Sequence, residues 1–66
     1  MIRINDRDEI EWQEGMTVSR VLQVCRFTSP KIAVFVDGEL VHRDLYETYP
    51  VKDGAEVKVL HLIGGG

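Results

Sequence analysis

Residues 52–66 read "KDGAEVKVLHLIGGG". Asp53-Gly54 is a turn pair. From about Ala55 to Ile63, apolar and polar side chains then alternate, the period of a β-strand with one buried face. Val57 and Val59 are expected in the core, with Lys58, Leu60 and Leu62 pointing outward. Three glycines follow with no polar spacer. Glycine packs nothing and loses the most backbone freedom on ordering. Gly64, Gly65 and Gly66 therefore read as a flexible tail at 64–66 behind a folded domain at 1–63.

A last strand of this kind needs partners upstream. "MIRIN" alternates, with Ile2 and Ile4 on one face, and "EIEW" alternates with Ile10 and Trp12 in phase. "NDRD" lies between them and is rich in turn formers, so the N-terminus reads as a β-hairpin. Gly15 breaks that pattern, and Thr17 is placed to cap a helix. Val18, Val21, Leu22 and Cys25 fall at i, i+3, i+4 and i+7, one apolar helical stripe. Ser29-Pro30 is expected to end the segment.

"IAVFVDGELV" returns to period two. Val34 and Val36 point one way, and Ala33 and Phe35 the other. Asp37-Gly38 is a two-residue hairpin turn, with Leu40 and Val41 on the return strand. Residues 42–50 read as a loop with a short helical turn, where Tyr46 and Tyr49 cap the core. The order β-β-α-β-β-turn-β predicts an α+β fold in which one main helix covers one face of a mixed sheet of four to five strands. With the two terminal strands adjacent and parallel, this is the β-grasp, or ubiquitin-like, arrangement.

Composition narrows the function. A chain of 66 residues is one small domain. It buries only about 60% of the surface its unfolded form exposes, which leaves little material for a walled active site. Cys25 is the only cysteine, so no disulfide forms within the chain. The net charge is −3 and the eight basic residues are scattered, which argues against nucleic acid. No apolar run is long enough to span a membrane, and "MIRINDRDEIEW" lacks the apolar centre of a signal peptide. A cytoplasmic monomer that acts as a carrier or binding module is the expectation.

Within the domain, catalytic chemistry is poorly provided for. Cys25 lies on the helix stripe and reads as a small buried hydrophobe. His42 and His61 have no metal-ligand spacing with each other or with Cys25. His61 is expected at the surface or facing a partner. Asp6, Asp8, Glu9, Glu11 and Glu14 read as a solvated hairpin face that could also draw a basic partner. The tail is different. The α-carboxylate of Gly66, with an expected pKa of about 3.3–3.7, is ionised at neutral pH and a poor electrophile. It reacts only if activated, for instance as a mixed anhydride with AMP. The chain has no phosphate-binding glycine loop, so another protein must bind the ATP. Residues 64–66 extended reach roughly 10 Å, and side-chain-free backbone threads a narrow channel.

The chain resembles the ThiS/MoaD family of ubiquitin-like sulfur carriers, most closely those of thiamine biosynthesis, over essentially its whole length. The resemblance rests on Asn5-Asp6 in a short hairpin and on Gly15-x-Thr17-Val18 opening a helix. "AVFVDGELVHR" is similar to the family's A-V-x-V-N-G-x-x-V-P-R, and "VKDGAEVKVLHLIGGG" resembles its L-x-D-G-D-x-V…V-x-G-G ending. His42 stands where the family usually has Pro, Tyr46 where it often has Trp, Asp37 for Asn, and Gly64 for a small residue such as Ala or Ser. The resemblance implies a protein co-substrate rather than an enzyme, with no bound cofactor. A ThiF-like E1-type adenylyltransferase uses ATP and Mg to adenylate Gly66. Sulfur from a cysteine desulfurase converts it to a thiocarboxylate, and a ThiG-like thiazole synthase accepts the sulfur. Gly65-Gly66 is the functional pair and Gly64 a permissive spacer.

The docking patch implied by the alternation is Phe35, Lys58, Leu60 and Leu62, since contiguous exposed apolar side chains mark interaction sites. The competing placement puts Leu60 and Leu62 under the loop at 42–50. Alternative functions are a MoaD-like carrier for molybdopterin, a sulfur carrier for cysteine or another metabolite, a ubiquitin-like protein modifier, and a β-grasp binding module with an inert tail.

Overall fold

The structure, a computed structural model, describes residues 1–27 and 31–62. Its elements are β1 (Ile2–Ile4), β2 (Asp8–Ile10), α1 (Val18–Val24), β3 (Ile32–Val36), β4 (Glu39–Val41), a short 3₁₀ turn (Arg43–Leu45) and β5 (Glu56–His61). The five strands form one sheet in the order β2-β1-β5-β3-β4. β1 and β5 run parallel, and every other pair is antiparallel. This is the expected β-grasp, with the last strand at the centre of the sheet.

Each hairpin is closed by local chemistry. Asn5 and Asp6 both have positive φ, 53° and 57°, a region where Asn and Asp are enriched among non-glycine residues. The Arg7 amide donates to the Ile4 carbonyl at 3.0 Å and closes the turn. Asp37 (φ 51°) and Gly38 (φ 85°) give the β3–β4 hairpin the two positive φ angles of a type I′ turn. Trp12, expected in phase on the second strand, lies beyond it. Ile10 already pairs with Ile2, so a strand reaching residue 12 would have no partner left. The Trp12 indole instead donates to the Val51 carbonyl at 2.7 Å.

Thr17 caps α1 as expected, its Oγ1 accepting from the Arg20 amide at 3.4 Å. The segment at 42–50 supplies further acceptors. The Val18 and Ser19 amides donate to the Tyr49 and Tyr46 carbonyls at 3.1 and 2.7 Å, satisfying donors a helix N-terminus otherwise leaves open. The helix ends earlier than the sequence suggests. Cys25 is its C-cap, and Arg26 turns left-handed at φ 60°. The Phe27 amide reaches the Leu22 carbonyl at 2.9 Å and the Arg26 amide the Gln23 carbonyl at 3.1 Å. That pair of bonds is the Schellman motif, formed here without its usual glycine. Ser29-Pro30 lies outside the described residues.

The core lies between α1 and one face of the sheet. Val18, Val21 and Leu22 of the helix meet Ile2, Ile4, Val34, Val36, Val41, Val57 and Val59, with Met16, Val51 and Ala55 at the ends. Cys25 is half-buried and packs against this cluster with Tyr46 and Tyr49. Among the described residues no helix is long and apolar enough to cross a membrane.

Candidate functional site

Among the described residues, no helix lies on the other face of the sheet. Register places its side chains in rows. Phe35 stands between Lys58 on β5 and Leu40 on β4, and Ala33 stands beside Leu60. Phe35 and Ala33 are half-buried, whereas Leu40 is 63% exposed, Leu60 53% and Leu62 55%. A shallow depression of about 490 Å³ runs over this face, lined by Phe35, Asp37, Gly38, Glu56, Lys58 and Leu60. The expected patch of Phe35, Lys58 and Leu60 is thus brought together on one surface. Leu62 is exposed just past the end of β5. The competing placement of Leu60 and Leu62 beneath residues 42–50 does not occur, because that segment sits against the N-terminus of α1. Leu40 is a member the sequence reading left out. Its signal is the register of a two-residue turn, which sets Leu40 directly opposite Phe35.

Two polar contacts fix β5 beneath this surface. The Lys58 ammonium lies 3.5 Å from an Asp6 carboxylate oxygen. The Asn5 side-chain oxygen accepts from the Val59 amide at 2.7 Å. The parallel ladder between β1 and β5 stops at Ile4–Val57, so Asn5 continues it with its side chain. At the other end, Asp37 accepts the Glu56 amide at 3.0 Å, and its own amide donates to the Glu56 carbonyl at 2.8 Å.

A sequence model of the ThiS family matches residues 2–66. The chain belongs to the ThiS family. Its fold agrees with the crystal structure of a thiamine biosynthesis protein (ThiS) from Geobacter metallireducens. That likeness has a TM-score of 0.81 and 25% identity and covers 98% of this chain and 97% of that one. A solution structure of a thiamine biosynthesis protein from the same organism matches with a TM-score of 0.75 at 25% identity, over 98% and 86% of the two chains.

The remaining candidates of this ThiS-family chain are quiet. Burial pushes the Cys25 thiol above its ordinary pKa, and the Asp8 carboxylate adds to the effect. The thiol is held protonated, the wrong direction for a nucleophile. Burial likewise raises Tyr46, partly offset by Arg43. His42 is exposed, its Nδ1 3.7 Å from the Asp44 carboxylate. His61 is exposed as expected, and its ring rests on Phe27 with centroids 5.8 Å apart. Among the described residues no cluster of His, Cys, Asp and Glu is arranged to hold a metal. Asp6, Asp8, Glu9, Glu11 and Glu14 are all exposed, but they do not share one face: in the β1–β2 register Asp8 stands opposite Ile4 and Glu9 opposite Arg3. Gly64, Gly65 and Gly66 lie outside the described residues.

Proposed function

We propose that this chain is a sulfur carrier protein of thiamine biosynthesis, a co-substrate rather than an enzyme. The observation that carries the reading is the ThiS-family match, which runs through Gly65-Gly66. Supporting it, the sheet face beside the end of β5 is open and presents Leu40, Leu60 and Leu62 to solvent.

The chemistry follows from the carboxylate. A partner of the ThiF type binds Mg-ATP, and the Gly66 carboxylate attacks the α-phosphorus and expels pyrophosphate. The resulting acyl-adenylate is a strong electrophile. The outer sulfur of a persulfide, made by a cysteine desulfurase, attacks the acyl carbon and AMP leaves. A thiol then attacks the donor-side sulfur of the acyl disulfide, forming a disulfide with the donor and releasing a thiocarboxylate on Gly66. Its sulfur is nucleophilic and is delivered to a thiazole synthase of the ThiG type. The domain serves as the handle: Phe35, Lys58, Leu60 and Leu62, with Leu40, form the docking surface for these partners. Gly65-Gly66 threads the partner's channel and Gly64 is spacer.

Intact mass spectrometry tests this. The carrier is incubated with its cognate ThiF-like enzyme, Mg-ATP, cysteine and a desulfurase. The expected product is heavier by one sulfur and lighter by one oxygen. Deleting Gly66 should abolish the change and leave the fold intact. Gly64→Ala should be tolerated and Gly65→Ala should not. No mass change with the cognate enzyme, or conjugates to lysines in its place, would overturn the reading.

A further inference from the structure

The end of β5 is held by only one strand. β1 pairs with β5 only at Arg3–Glu56 and Ile4–Val57, and Asn5 adds one bond at Val59. Past Val59, the sheet neighbour is β3 alone, with Ile32 opposite His61. A strand end with one neighbour frays easily. Two contacts oppose fraying here. The Leu62 amide donates to the Lys31 carbonyl at 2.8 Å, one residue beyond the strand. The His61 imidazole packs on Phe27 at 5.8 Å with the planes 53° apart, a tilted aromatic pair.

Phe27 is itself fixed in place. It follows the left-handed Arg26, its amide is bonded to Leu22, and its ring is half-buried against the core. Alternation puts His61 on the helix side of the sheet with Val57 and Val59, opposite the face that carries Leu60. Any influence of His61 on docking through that face must therefore pass through the backbone of β5. We propose that Phe27 and His61 are positioning residues: their ring contact clamps the end of β5, so the reactive tail is presented from a fixed point at Leu62. This rests on the sulfur-carrier reading for its purpose, though not for the contact itself. Without the clamp, a smaller fraction of molecules offers the tail in the geometry the activating enzyme binds. The apparent affinity falls by that fraction, while chemistry once bound is unchanged.

The test uses the full chain as wild type, His61→Ala, His61→Phe and Phe27→Leu. Amide hydrogen exchange at Leu62 reads the clamp directly. Exchange should quicken by roughly 2- to 10-fold in His61→Ala and return toward wild type in His61→Phe, which keeps a ring on Phe27. With the cognate ThiF-like enzyme and Mg-ATP, His61→Ala should raise KM for the carrier about 2- to 10-fold with kcat held within about 2-fold. Phe27→Leu should shift both readouts the same way. The clamp is overturned if His61→Ala leaves Leu62 exchange unchanged, or if His61→Phe is no better than His61→Ala. It is equally overturned if KM stays at the wild-type value while exchange quickens. A wild-type chain that is never adenylated would defeat the carrier reading, while Leu62 exchange still decides whether the clamp exists.

Discussion

The two faces of the sheet are built from the same strands and differ in almost everything else. On the helix side, Ile2, Ile4, Val34, Val36, Val57 and Val59 are β-branched and buried. On the open side, one residue along in each strand, stand Arg3, Phe35, Leu40, Lys58 and Leu60, charged or apolar and partly or fully exposed. The buried face is uniform because close packing tolerates few shapes. The open face is mixed because nothing among the described residues packs on it. Several leucines left in water side by side on one sheet face are what an interaction surface requires and what a lone folding unit does not.

The comparison can be broken from either side. The largest expected effect is on the helix side. Ile4→Ala, at a site 1% exposed, should cost about 2–5 kcal/mol. A domain of this length is stable by only about 3–10 kcal/mol. Urea unfolding followed by Trp12 fluorescence measures this, and a loss below that range would mean that the core repacks. Next comes the joint between the faces. Asn5→Ala removes the acceptor for the Val59 amide and puts a Cβ-bearing residue without local hydrogen bonding at positive φ. A loss of about 1–3 kcal/mol is expected. Asn5→Gly relieves the backbone but not the amide and should fall between the two. The smallest effect on stability belongs to the open face. Leu60→Ser should leave the unfolding free energy within about 0.5 kcal/mol while weakening binding to the activating enzyme about 10-fold or more. Equal losses of stability in Ile4→Ala and Leu60→Ser would erase the distinction between the faces.

The strands were legible because alternation and turn chemistry are local. Val34-Phe35-Val36, Asp37-Gly38 and Val57-Lys58-Val59 each carry their answer within a few residues. The placement of Phe35, Lys58 and Leu60 on one face followed from the same parity. Other features were less legible, most because they depend on a residue distant in sequence and one because no glycine marks a local turn. Trp12 continues an alternating pattern, yet the strand stops where β1 runs out of residues to pair with. α1 ends at Val24 because Arg26 adopts a left-handed turn, and no glycine advertises it. Asn5 looks like an ordinary turn residue until β5 arrives beside it. The His61–Phe27 contact has no period at all. The tail at 64–66 lies outside the described residues, and the chemistry proposed for it rests on the sequence and the family match.

The position of β5 has a consequence for how the chain comes together. Remove β5 from the order β2-β1-β5-β3-β4 and the sheet falls into two separate hairpins. The first half of the molecule then has no contact through the sheet with the second. The strand that joins them is the last of the five in chain order. A growing chain therefore cannot complete its core until that strand is free to dock. Assembly of the whole sheet waits on six residues, Glu56–His61.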